Sequence, residues 1–122
     1  MILVDTSVWV DHLRAGEKDL AALLIQSRVL MHPFVLGELA CGNLRNRSEV
    51  LALLRDLPRA TVATDDEVLF FIERHALMGR GIGYVDAHLL AAVTLGGATR
   101  LWTRDKRLRT VVDSLELVYE KD

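Results

Sequence analysis

Three acidic residues stand alone in apolar sequence. From Met1 to Val10 the only Asp, Glu, Lys or Arg is Asp5, between Arg28 and Arg45 it is Glu38, and between Arg80 and Arg100 it is Asp86. The stretches around them are of the kind that build a core. A carboxylate buried alone is costly, so each must be paired, hydrogen-bonded or bound to a cation. No lysine or arginine lies beside any of the three in sequence. A divalent ion shared among several acids would answer the problem for all of them. Oxygen-rich ligation of this kind suits Mg²⁺ or Mn²⁺. Cys41 and the histidines offer no C-x-x-C or H-x-x-x-H spacing, which argues against zinc. Asp105, at the end of an apolar run, is the fourth candidate.

The elements that must carry these acids follow from the pattern. Ile2–Val4 reads as a strand, and Thr6 or Ser7 can cap a helix after it. Glu17–Gln26 reads as a helix and Val29–Met31 as a brief strand. Pro33 suits the first turn of a helix running to about Cys41, ended by Gly42-Asn43. Ser48–Leu57 is helical and is closed by Pro58, and Ala60–Ala63 is a β-type run. Thr64 and Glu67 form a capping-box pattern ahead of a helix to Met78. A loop with Gly79, Gly81 and Gly83 precedes a helix over Tyr84–Leu95. Thr99–Thr103 is a strand, Lys106–Val112 a short helix, and Leu115–Tyr119 a last strand.

Strands alternating with helices predict an α/β fold with an open, mostly parallel sheet of about five short strands and helices on both faces. Ligands of such sheets sit outside the carboxyl ends of the strands. Asp5 ends the first strand, and Asp105 lies just beyond the strand that ends at Thr103. Asp86 falls in a first helical turn, where the helix dipole favours an anion. Taken singly, Asp5 also reads as a helix cap, Asp86 as an ordinary first-turn acid and Asp105 as a loop charge. Glu38, in mid-helix, is harder to explain that way, and a Glu38 pointing to solvent would break the reading. Four acids from four segments meeting at one sheet edge are more specific than any one of them.

The chain has 122 residues, 51% apolar, with 15 basic and 17 acidic residues for a net charge of -2. That length predicts a single domain over residues 1–122 with a sizeable core. The lone cysteine, Cys41, excludes a disulfide-built secreted scaffold. No apolar run approaches the roughly 18 residues that would span a bilayer, so no membrane partner is expected. The N-terminal run has no basic lead and meets Asp5, unlike a signal peptide, which points to a cytoplasmic protein.

Near-neutral charge gives no global argument for nucleic acid, but local charge does. Between Arg100 and Arg109, five residues of ten are basic: Arg100, Arg104, Lys106, Arg107 and Arg109. They surround Asp105, and Lys and Arg contacts to phosphate supply sequence-independent affinity. A solvated helix face is the plainer alternative. Trp9 and Trp102 read as core aromatics. His12, His32, His75 and His88 read as structural, and Cys41 as a small buried apolar residue.

At these residues the sequence resembles a known family. Asp5-Thr6-Ser7-Val8-Trp9, Glu38-Leu39 in the helix opened by Pro33, Asp86-Ala87-His88-Leu89-Leu90-Ala91-Ala92 and Thr103-Arg104-Asp105 look like the successive motifs of PIN-domain ribonucleases. The small form is similar to the VapC-type toxins of toxin–antitoxin pairs. The resemblance covers essentially the whole chain. It implies a three-layer α/β/α sandwich and a metal-dependent endoribonuclease that hydrolyses RNA with a metal-activated water, leaving a 5′-phosphate. It implies Mg²⁺ or Mn²⁺ held by Asp5, Glu38, Asp86 and Asp105. Thr103, with Thr6 or Ser7, would be the hydroxyl that positions an acid or a water. It also implies a homodimer, inhibited by a VapB-type antitoxin whose tail enters the acidic groove.

Two other readings compete. A receiver-like phosphoacceptor domain has this length and class, but it needs an adjacent acidic pair after the first strand. Only Asp5 stands there, followed by Thr6-Ser7. An Asp-x-Asp phosphatase fails likewise, because position 7 is Ser. A non-catalytic PIN-fold interaction protein would not need all four acids.

Overall fold

A computed structural model describes residues 1–120. Its frame is a parallel sheet of three short strands in the order β2-β1-β3. β1 (Ile2–Val4) lies in the centre, with β2 (Val29–Leu30) on one side and β3 (Arg100–Trp102) on the other. Ile2 pairs with Val29 and Arg100, and Leu3 with Leu30 and Leu101. Successive strand side chains point to opposite faces. All three β1 side chains are nevertheless buried, so both faces of the central strand are covered. That is why its sequence is continuously apolar and not alternating.

The helices are α1 (Thr6–Ala15), α2 (Lys18–Ile25), α3 (Pro33–Ala40), α4 (Arg47–Arg55), α5 (Asp65–Arg74), α6 (Tyr84–Leu95) and α7 (Lys106–Ser114). α6 is the most enclosed: every residue from Ala87 to Val93 is buried. Its sequence is accordingly apolar nearly all round. No helix among the described residues is long and apolar enough to cross a membrane.

The sheet is narrower than the five strands expected. The runs at 60–63 and 115–119 do not form strands. Parallel pairing there is limited to single bridges, Arg59 to Met31 just before the first run and Val118 to Leu101 within the second. Backbone bonds run from Met31 N–H to the Pro58 carbonyl and from Leu101 N–H to the Leu117 carbonyl. Pro58 has no N–H to extend the first pairing. The second segment is only just leaving α7 when it reaches the edge of β3.

α5 also stops short of Met78. The chain turns at Ala76, which adopts a left-handed φ of 51°. The Ala76 N–H bonds the Glu73 carbonyl and the Leu77 N–H bonds Ile72, the paired bonds that close a helix end. Leu77 is thereby tucked into the core. Ser27 and Glu116 end α2 and α7 in the same way, with φ of 55° and 60°. Without a glycine at these positions, the stops carry no sequence signal.

His32 caps α3. Its Nδ1 accepts from the Phe34 N–H at 3.0 Å, which requires that nitrogen to be unprotonated. The ring is fully buried, and its pKa is lowered from 6.5 to about 4, chiefly by burial, with His88 and Arg59 adding to it. Below pH 6.5 the unfolded chain takes up a proton that the folded protein refuses. Stability should therefore fall as pH drops through 6.5 toward 4, by about 3 kcal/mol at the low end. Urea unfolding across that range checks this. His32→Asn keeps an acceptor for the Phe34 N–H but removes the titration, and is expected to show a flatter pH dependence.

Candidate active site

Parallel strands bring their carboxyl ends to one edge, and the four acids are carried there by four elements. Asp5 is the residue between β1 and α1, and its N–H bonds the Trp102 carbonyl of β3 at 2.9 Å. It occupies the N-cap position of α1, yet its carboxylate does not cap the helix. Oδ2 instead accepts the Thr103 hydroxyl at 2.7 Å and the Ser7 hydroxyl at 3.0 Å. Asp5 and Thr103 are both buried. Both hydroxyls engage the same oxygen, which leaves Oδ1 free of either. The Ser7 and Thr103 oxygens in turn accept the Arg104 and Asp105 N–H groups, each at 3.1 Å. The loop after β3 is thus locked to the loop after β1.

Thr6 is the first residue of α1, not its cap. Its hydroxyl donates to Glu38 Oε1 at 2.7 Å. Glu38 is exposed, against the expectation for a mid-helix acid in apolar sequence; it lies at the edge of the face that α3 buries through Val35 and Leu39. The carboxylate is nonetheless drawn toward the end of β1 by Thr6. Burial is a property of Asp5 and, in part, of Asp86; Glu38 and Asp105 are exposed.

Asp86 lies in the first turn of α6, where its Oδ2 accepts the Gly83 N–H at 2.9 Å. Its pKa is raised, first by burial and then by the charges of Asp5, Asp105 and Glu38, while the Gly83 bond opposes the shift. Acids distant in sequence therefore act on one another at this edge. Asp105 caps α7, its Oδ1 accepting the Leu108 N–H at 2.9 Å. The cap and first-turn roles are real for Asp105 and Asp86, and they use one oxygen of each.

Among the described residues, no three His, Cys, Asp or Glu side chains stand close enough together to hold an ion as they are. The donor set nevertheless fits a hard divalent cation. It consists of carboxylate oxygens, some of them unengaged, and the three charges around Asp86 are all negative.

The basic rim divides on inspection. Arg104 pairs with Asp11 at 2.6 Å and with Glu17, and its guanidinium lies 5.8 Å over the Trp102 ring. These two carboxylates raise its already high pKa. It ties α1 and α2 to the loop after β3. Arg100 donates to the Glu116 carbonyl, and Arg109 reaches Glu120 at 3.4 Å. Lys106 and Arg107 are exposed with no ion-pair partner among the described residues.

Trp9 and Trp102 are core residues, and His32 and His88 are buried. Cys41 is exposed, not buried as expected: it follows the last residue of α3, beyond the helix's packed face. The Ser7–Asp5–Thr103 linkage joins residues far apart in the chain. Only the hydroxyls after Asp5 and before Asp105 hinted at it.

Comparison with known proteins identifies the family of the chain. The model of the PIN domain family matches residues 2–113. The chain is 53% identical over 109 residues to Ribonuclease VapC32 of Mycobacterium tuberculosis strain CDC 1551 / Oshkosh, covering 89% of this chain and 88% of that protein. The same protein from strain ATCC 25618 / H37Rv matches equally.

Proposed function

The chain belongs to the PIN-domain family, and from that premise we propose that it is a metal-dependent endoribonuclease, the toxin of a VapC-type toxin–antitoxin pair. The observation that carries this reading is the meeting of acids from four elements at the carboxyl end of β1, with the charges of Asp5, Asp105 and Glu38 felt at Asp86. Asp5, Glu38, Asp86 and Asp105 are the residues that would hold Mg²⁺ or Mn²⁺. Such an ion supplies neutralising charge at the scissile phosphate and lowers the pKa of an attacking water.

The chain's own residues prepare the place. Thr103 and Ser7 fix the rotamer of Asp5 by binding one oxygen and leaving the other to ligate. Thr6 turns Glu38 toward the cleft. Gly83 anchors Asp86, and the α7 cap anchors Asp105. A receiver-like domain would need a second acid next to Asp5, where Thr6 and Ser7 stand.

The proposed partners follow from the same reading. A VapB-type antitoxin would lay its tail over the acids, where an arginine could pair with them bidentately. A groove of about 370 Å³ opens beside Glu38, with Val10, Leu13, Leu39 and Val50 in its lining and Arg14 and Arg45 among its polar residues. Exposed Leu69 and Phe70 of α5 and Leu95 of α6 suit burial by a second copy in a homodimer. The match over residues 2–113 is in keeping with one domain, and the same reading has it act on RNA in the cytoplasm.

Incubation of the purified protein with single-stranded RNA tests the central claim. Cleavage in Mg²⁺ or Mn²⁺, leaving 5′-phosphate ends and stopped by chelation, is expected. Undiminished cleavage in excess chelator would overturn it.

A further inference from the structure

Gly81 sits in the loop ahead of Asp86 with φ of +81°, and the side chain of Arg107 lies directly on it. A Cβ at Gly81 would fall 2.6 Å from Arg107 Cδ, 3.1 Å from Nη1 and 3.2 Å from Nε. The left-handed backbone favours glycine here, and an added Cβ would push away the far end of the flexible Arg107 side chain. Arg107 is the second residue of α7, two beyond Asp105. Gly81 is two residues before Gly83, whose N–H holds Asp86. The arginine therefore spans from the segment of one acid to the segment of another.

It does so without an ion pair to any described carboxylate. Arg100, Arg104 and Arg109 are each engaged within the protein. Among the described residues Lys106 also has no ion pair, but Arg107 is the unpaired cation laid across the Asp86 loop. A long charged side chain loses much rotamer freedom when it is held. Here the missing Cβ of Gly81 lets it lie against the Asp86 loop, and that contact narrows the positions it samples before any ligand arrives. An arginine fork also matches phosphate geometry.

We infer that Arg107, seated on Gly81, grips an RNA phosphate beside the scissile one and is the main positioning cation of the rim. The inference rests on the ribonuclease reading above. It assigns Gly81 a role in holding that side chain and sets Arg107 apart from its four basic neighbours.

The test measures binding of a short single-stranded RNA of mixed sequence to Asp5→Asn protein at several salt concentrations. Adding Arg107→Ala is expected to reduce the salt slope by about 0.7, the loss of one single-strand phosphate contact. Arg107→Lys should keep most of the slope. In the otherwise unaltered enzyme, Arg107→Ala should raise KM several-fold with kcat little changed. Gly81→Ala should reproduce the Arg107→Ala slope, and the double variant should lose nothing further. Gly79→Ala is the control, because Gly79 has φ of +73° but open space around its Cβ position. It should retain the slope. An unchanged slope in Arg107→Ala overturns the inference, as do additive losses in the double variant or an equal loss in Gly79→Ala. Cleavage by the unaltered protein is read separately, so these outcomes leave the ribonuclease reading standing.

Discussion

Asp5→Asn is expected to lower RNA cleavage about a thousandfold while leaving the fold intact. Asp5 is the most enclosed of the four acids and the one placed by the central strand. Its Oδ2 receives the Thr103 and Ser7 hydroxyls. An asparagine oxygen can accept both, so the link between the loops after β1 and β3 survives. What disappears is a negative charge aimed at the cleft. Removing one preorganised electrostatic group costs roughly 10²–10³ in rate, and a group that also holds an ion belongs at the upper end. Asp5→Ala would confuse the result, because it leaves two hydroxyls without their acceptor in a buried place, at about 1–3 kcal/mol. Turnover of RNA at saturating Mg²⁺ or Mn²⁺, beside a thermal melt of each protein, separates the two effects. Equal turnover by Asp5→Asn and the unaltered chain would remove Asp5 from the chemistry.

Asp5, Glu38 and Asp86 stood out because they interrupt apolar sequence, and Asp105 because it follows the strand that ends at Thr103; that follows from how a parallel sheet is covered. A fully buried β1 needs Ile2-Leu3-Val4 without alternation, so the first charge after it stands out at the edge. α6 was legible to the residue for a related reason: an enclosed helix is apolar nearly throughout and ends at glycines. The outer pairings at Arg59 and Val118 were not. One-residue bridges are set by where a loop happens to pass an edge, and apolar runs there look the same whether or not they pair. The helix ends at Ala76 and Glu116 escaped because tertiary packing holds an unfavourable φ that propensity would refuse. Arg104 misled for a different reason. Its charge counted toward an RNA-facing rim, but Asp11 and Glu17, distant in sequence, consume it. Composition counts charges, whereas pairing decides which remain available.

Divalent metal should stabilise this protein strongly, and Asp86 gives the sign. Its pKa is raised by burial and by Asp5, Asp105 and Glu38, so the folded protein holds that proton more tightly than the unfolded chain does. Asp86's contribution to the stability of the metal-free protein is then largest on the acid side of its titration and is lost as pH rises through its raised pKa. His32 acts in the opposite direction, weakening the fold as pH falls from 6.5 toward 4. At neutral pH His32 is uncharged and the carboxylate repulsion is fully present. An ion that binds the four acids only when folded removes that repulsion. At a thousand times its Kd it adds about 4 kcal/mol, or about 15 °C for a chain of this length. Because a protonated carboxyl cannot ligate, the gain should shrink as pH falls through Asp86's titration. Asp86→Asn should raise the melting temperature of the metal-free protein at neutral pH and lose most of the metal-induced rise. Melts with and without MgCl₂, against NaCl of equal ionic strength, distinguish ligation from screening. If NaCl gives the same rise, or Asp86→Asn keeps the full metal effect, the acids repel one another at this edge but do not share an ion.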